Sequence, residues 1–180
     1  VVVTAATGAV GTVAGQLARR MGARVVGVAG GSEKCRYAVE SLGFDACVDH
    51  RAGDFAQQFK AATPDGVDGV FENVGGLPLE LSLARANPFG RIAICGLVAS
   101  GYDGTPAAVT NFAAVLAMRL LVKGFIVGDD MSLWPKAYAD LVPLIASGEL
   151  KWARSVAQGL EAAPEAFFDM LKGRNFGKQL

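Results

Sequence analysis

Short apolar, β-branched runs recur along the chain, each followed by a glycine-rich break and then a stretch whose apolar positions fall three and four residues apart. The runs fit strands buried on both faces, and the stretches between them fit helices laid against a sheet. Strands are predicted at Val1–Val3, Arg24–Ala29, Ala46–Asp49, Val67–Val74, Arg91–Gly96 and Val122–Val127. Helices are predicted from about Val10 to Ala18, from Ser32 as N-cap towards Leu42, and over Phe55–Ala62, Leu77–Ala86, Asn111–Leu121 and Leu133–Ser147. In the first helix Val10, Ala14, Leu17 and Ala18, with Gly11 and Gly15 beside them, make one narrow apolar face. Strict alternation of strand and helix implies an α/β fold with a doubly wound parallel sheet over residues 1–150. From Lys151 the pattern changes to a weak strand at Ser155–Ala157, a helix at Ala162–Leu171 and a last strand beginning after Gly173. Residues 151–180 therefore read as an excursion towards a partner domain, and a chain that opens inside a core strand reads as a domain cut from a longer protein.

The first strand-to-helix break, Ala6-Thr7-Gly8-Ala9-Val10-Gly11, carries the sharpest chemistry. Gly8 lets backbone approach a pyrophosphate, Gly11 lets the helix lie close on the strand, and the free N–H groups of the helix start face an anion. Ala6 stands where the dinucleotide fingerprint has its first glycine, and a tight turn without a ligand also accounts for the pair that remains. The second strand should take the adenosine ribose. About 20 positions beyond the fingerprint, where NAD-binding proteins place a carboxylate, stand Gly30-Gly31-Ser32, and Lys34 and Arg36 follow within one turn. That arrangement favours NADP over NAD, although a solvated helix face explains the same two cations. His50 ends the third strand beside the expected adenosine pocket, where a plain loop residue is the alternative. Asn73 ends the fourth strand, at the edge where open parallel sheets bind ligands; a local Asx turn would serve equally.

Composition narrows the classes. The 180 residues are 52% apolar with zero formal charge, and no basic run exceeds Arg19-Arg20, so an extended nucleic-acid surface is not expected. No apolar stretch reaches membrane-span length and no basic n-region opens the chain. Cys35, Cys47 and Cys95 are odd in number and widely spaced, as reduced thiols of a cytoplasmic protein are. With His50 the only histidine, these cysteines do not supply a zinc site, so no metal is expected.

The strings Ala6–Gly11, Gly31-Ser32-Glu33-Lys34-Cys35, Phe71-Glu72-Asn73-Val74-Gly75-Gly76, Ile94-Cys95-Gly96, Gly124–Val127 and Asn175-Phe176-Gly177-Lys178 occur in this order. Together they resemble the cofactor domain, a Rossmann fold, of zinc-independent medium-chain dehydrogenases/reductases, in the branch of prostaglandin, leukotriene and curcumin reductases. The resemblance implies NADP(H)-dependent reduction of the carbon–carbon double bond of an enone or alkenal. It implies pyrophosphate binding by Gly8, Ala9, Val10 and Gly11, 2′-phosphate binding by Lys34, and an adenosine contact at His50, where the family often has tyrosine. It also assigns Asn73 to the cofactor, Cys95, Gly96, Leu97, Val98, Ala99, Ser100 and Gly101 to the nicotinamide-side loop, Phe125, Ile126 and Val127 to the strand beside the carboxamide, and Asn175 to the returning segment. Tyr102 is the candidate catalytic residue, placed to hydrogen-bond the nicotinamide ribose and position the hydride. The substrate cleft should lie against an amino-terminal, GroES-like catalytic domain that this chain lacks.

Two other readings stand beside this one, a quinone oxidoreductase of the same superfamily and a non-catalytic nucleotide-sensing module. A short-chain dehydrogenase fails, because Tyr37, Tyr102 and Tyr138 are followed four positions on by Ser41, Pro106 and Val142 rather than lysine. The strand at 122–127, last of the doubly wound unit, presents an open apolar edge, and a homodimer pairing edge to edge is the expected assembly.

Overall fold

Successive residues of a strand face opposite sides of its sheet, and the first strand uses both: Val2 joins one core cluster and Val3 the other. The computed structural model describes residues 1–100 and 108–180. Its elements are β1 (Val2–Thr4), α1 (Ala9–Arg20), β2 (Val26–Ala29), α2 (Ser32–Glu40), β3 (Ala46–Asp49), α3 (Phe55–Ala62), β4 (Val67–Glu72), α4 (Gly76–Ala84), β5 (Ala86–Ile94), α5 (Ala114–Ala117), β6 (Leu121–Gly124), α6 (Trp134–Ala146), β7 (Arg154–Ser155), α7 (Ala163–Leu171) and β8 (Lys178–Gln179). Six strands form one sheet in the order β3-β2-β1-β4-β5-β6, every pair parallel. Strand order reverses between β1 and β4, which opens a crevice at the carboxyl ends of those strands.

One core cluster packs Val2, Val26, Val28 and Val48 against Phe55 and Phe59 of α3 and Leu79 and Leu83 of α4. The other packs Val3, Val25, Ala38 and Phe44, with Ala18 and Tyr37, on the side of α1 and α2. The buried face of α1 is Gly11, Thr12 and Gly15, rotated from the predicted one, and Val10 is 49% exposed. Close approach is the cause, since a Cβ at Gly15 would stand 1.9 Å from Phe44 Cζ, leaving room for no side chain on that line.

Other boundaries shift for local reasons. Ser32 is the first residue of α2 rather than its N-cap, because Gly31 takes the cap position with φ +100°, open to glycine at low cost. Asn87–Gly90 does not merely end a helix. It lies within β5, with a register shift opposite Val67/Gly69 and Phe89 at φ +64°, a bulge tolerated because β6 pairs only from Arg91 onward. The predicted helix over 111–121 shrinks to α5, ended by Arg119 at φ +52°. The predicted strand over 122–127 is β6, Leu121–Gly124. It stops where the Ile126 amide turns to Asp129 Oδ2 at 2.8 Å.

Beyond α6, β7 and β8 pair with each other in parallel, and the segment docks on the main sheet's carboxyl edge. Gly177 forms a parallel bridge with Gly8, and the Phe176 ring meets Tyr37 edge-on at 4.7 Å.

Candidate functional site

The turn after β1 is built to bring α1 down onto the sheet. Gly8 caps α1 with φ −76° and ψ 171°, its amide donating to Ala5 O at 2.9 Å and its carbonyl accepting from Thr12 N at 3.0 Å. A Cβ at Gly11 would lie 2.3 Å from Ala5 O, a backbone atom that cannot swing away. The unusual φ of the turn is borne by Ala5, at +47°, and not by Ala6, which is fully buried and bonds Val28 O through its amide at 3.0 Å. An alanine at the fingerprint's first glycine position is therefore accommodated without strain at that residue. Ala9 and Val10 stand exposed in the first turn of α1, where a ligand at the helix start would meet them.

At the crevice, Asn73 is nine-tenths buried and tied to the neighbouring strand rather than folded into an Asx turn. Its side-chain Nδ2 donates to Thr4 O at 2.8 Å and its backbone N–H donates to Thr4 Oγ1 at 2.7 Å. The Thr4 hydroxyl in turn donates to Glu72 Oε1 at 2.6 Å, and the same oxygen accepts the Val74 and Gly75 amides at 2.6 and 2.9 Å. Glu72 is fully buried, and its Oε2 has no hydrogen-bond partner among the described residues. This carboxylate lies in the Phe71–Gly76 string, yet its role is not apparent from the sequence. Its signal is an acidic residue that directly follows the apolar pair Val70-Phe71 at the carboxyl end of the strand, one position before the asparagine.

The loop after β5 lies directly against this turn. Cys95 and Gly96 donate to Glu72 O at 2.9 and 3.1 Å, Val98 to Asn73 O at 3.1 Å and Ala99 to Val74 O at 2.8 Å. Leu97, Val98 and Ala99 face outward, and Val98–Ser100 form a single 3₁₀ turn. Gly101 and Tyr102 lie outside the described residues. Phe125 reaches the same edge from beyond β6, its amide on Ile94 O at 3.3 Å and its ring edge-on to Phe71 at 6.1 Å. Ile126 and Val127 are 72% and 75% exposed beside it.

The adenosine end gathers the cations. Lys34, half-buried in the first turn of α2, donates through Nζ to Gly173 O at 2.7 Å. Arg36 is exposed, so the second charge beside Lys34 comes not from α2 but from Arg51, which follows β3. Burial first, and the Arg51 charge next, push the Lys34 ammonium below its usual value. His50 follows β3 and lies beside Gly30, where a Cβ would stand 2.9 Å from both His50 Nε2 and Arg51 Nε. Partial burial and then Arg51 lower the His50 imidazole below its ordinary value. Asp49 spends Oδ1 on the amides of Gly31 and Arg51, at 2.8 and 2.9 Å. Asn175 is half-buried on the returning segment and donates through Nδ2 to Gly177 O at 2.9 Å. Sequence reasoning missed Arg51 because its partner in space lies on another element.

Strand order, glycine turn and a polar carboxyl-edge crevice at the reversal point define a doubly wound Rossmann domain. The zinc-binding dehydrogenase family matches over residues 9–147, and the chain belongs to that family, in its zinc-independent medium-chain dehydrogenase/reductase branch. It is 42% identical to the NADPH-dependent curcumin reductase of Escherichia coli, over 98% of this chain and 53% of the relative. It is 38% identical to a 2-alkenal reductase (NADP(+)-dependent) of Nicotiana tabacum, over 100% of this chain and 53% of that protein. The crystal structure of CurA from Vibrio vulnificus in complex with NADPH superposes with a TM-score of 0.90 at 41% identity, covering 99% of this chain and 55% of that one. The chain thus spans about half the length of the relatives it matches.

Despite the family's description, no group of three or more His, Cys, Asp or Glu among the described residues could hold a metal ion. The described residues therefore do not fit the three or four ligands that zinc takes. Cys35, Cys47 and Cys95 are free thiols. No helix among the described residues is long and apolar enough to cross a membrane.

Proposed function

We propose that this chain is the cofactor half of an NADPH-dependent reductase acting on the carbon–carbon double bond of small α,β-unsaturated ketones or aldehydes. The observation that carries this reading is the alignment, over essentially the whole chain, with reductases named for NADPH and for enone or alkenal substrates. The site fits the cofactor on its own chemistry. Gly8 and Gly11 keep the turn free of side chains where a pyrophosphate would lie, and Lys34 stands without a carboxylate in salt-bridge reach among the described residues, suited to a 2′-phosphate. Bound there, the dinucleotide supplies the hydride.

The chain's own residues bind and orient. Asn73 and the loop from Cys95 to Ser100 line the crevice on one side, with Phe125, Ile126 and Val127 on the other and His50 at the adenosine end. Asn175 closes over from the returning segment, and Tyr102 is the proposed catalytic residue, steadying the nicotinamide ribose. Thr4 and Glu72 hold Asn73 in place before the ligand arrives, so little ordering is left to be done on binding.

Residues 1–150 form the cofactor domain and 151–180 serve the catalytic domain of the whole protein, which works in the cytoplasm as a homodimer joined along β6. The test is steady-state consumption of NADPH by the full-length protein with an enone, a 2-alkenal and a quinone. Turnover of the first two supports the reading, and turnover of the quinone alone replaces it with a quinone oxidoreductase.

A further inference from the structure

Lys34 and Arg51 meet at the same backbone at the adenosine end, and among the described residues neither side-chain charge forms a salt bridge. What faces them instead is the carboxyl end of α7. Lys34 Nζ donates to Gly173 O at 2.7 Å and Arg51 Nη2 donates to Lys172 O at 3.4 Å. Lys172 is the C-cap of α7 and Gly173 the residue after it, so the Lys172 carbonyl lies at the negative end of that helix's dipole and the Gly173 carbonyl just beyond it. Gly173 adopts φ +63°, and a Cβ on it would stand 3.5 Å from Arg51 Nη2, so the guanidinium packs against the bare backbone. Two like charges are thus held together by partial charges from a segment more than a hundred residues away in sequence.

Each cation has donors to spare after its one carbonyl contact, because an ammonium and a guanidinium both carry several N–H groups. An arriving phosphate can therefore be bound without giving up the carbonyls. Resting on the NADPH reading above, we propose that Lys34 and Arg51 act as a two-sided staple. One side takes the 2′-phosphate of the cofactor and the other holds the end of α7. The phosphorylated cofactor, and not its unphosphorylated counterpart, then locks residues 172–177 over the adenosine end. A dianion between the two cations removes their mutual repulsion and sharpens both carbonyl contacts, while NADH leaves that repulsion in place. The lock extends along the segment, through the Phe176 ring on Tyr37 and the Gly177 bridge to Gly8, to the pyrophosphate turn itself. Arg51 is accordingly a second determinant of cofactor choice.

Hydrogen–deuterium exchange tests this in the full-length protein, saturated in turn with NADP⁺ and NAD⁺. The amides of Gly173, Arg174 and Phe176, bonded to Met170 O, Asp169 O and Ser155 Oγ, report on the segment. They should exchange roughly tenfold more slowly with NADP⁺ than with NAD⁺. Arg51→Ala should erase most of that difference and weaken NADP⁺ binding, and Arg51→Lys should restore part of both. Equal protection by the two saturating cofactors overturns the proposal while leaving the NADPH reading intact. So does an Arg51→Ala protein that keeps its full preference for NADP⁺. Failure of NADP⁺ to bind at all overturns both.

Discussion

A methyl group at Gly11 would meet the Ala5 carbonyl at 2.3 Å and the Ala6 Cα at 3.0 Å, so Gly11→Ala must push α1 away from β1. Forcing a group into such a contact costs about 1–3 kcal/mol, and thermal unfolding should show the loss. Lys34→Ala removes a charge-assisted contact worth about 1.5–3 kcal/mol, so NADPH affinity should fall roughly ten- to a hundredfold with NADH affinity unchanged. Calorimetric titration of both cofactors checks this. The His50 imidazole is held below its ordinary value of 6.5, so the unfolded chain binds a proton more readily than the folded one. Its contribution to stability is therefore present above pH 6.5 and lost as pH falls below it, towards the lowered folded value. Denaturant unfolding should show that decline in the native protein and a shallower one in His50→Gln. At this scale the sequence marks residues whose chemistry is local, such as Gly8, Gly11 and Lys34. It hides those whose role depends on a distant partner: Arg51 acquires its place only when β3 sets it beside α2, and Glu72 only when Thr4 arrives from β1.

Element order was legible throughout, because glycine breaks and apolar runs mark each crossover of the sheet. Element ends were less so, and the reason is tertiary. Arg119 at φ +52° and the Asp129 side chain on the Ile126 amide cut short a helix and a strand whose apolar pattern runs on past both points. The outcome matters for assembly. Phe125 N bonds Ile94 O, so by alternation the amides of Val122 and Gly124 point away from β5, along the open edge of β6. Proline is tolerated where a strand N–H faces solvent and not where it pairs. Val122→Pro should therefore leave the fold in place and shift the proposed homodimer towards monomer. Sedimentation of the two proteins side by side tests it; an undisturbed dimer places the interface elsewhere.

For the whole molecule, the Rossmann topology and the carboxyl-edge crevice follow from the repeating strand–helix pattern, whereas that pattern points residues 151–180 towards a partner domain and carries no sign of their contacts with α1 and α2. Gln16 bonds Lys151 in both directions, through Nε2 to its carbonyl at 2.7 Å and through Oε1 from its amide at 2.9 Å, a contact between residues with no shared pattern. If the substrate cleft needs the other half of the protein, the isolated 180 residues should bind NADPH and yet turn over no enone. Robust turnover by this chain alone would show that the cleft is complete within it. The most direct test of the central claim follows the hydride itself, in the full-length protein given an enone and NADPH deuterated at its transferable position. The account predicts a saturated ketone with deuterium on the former β-carbon of the enone. Deuterium on the carbonyl carbon, giving an allylic alcohol, or none in the product, would contradict it.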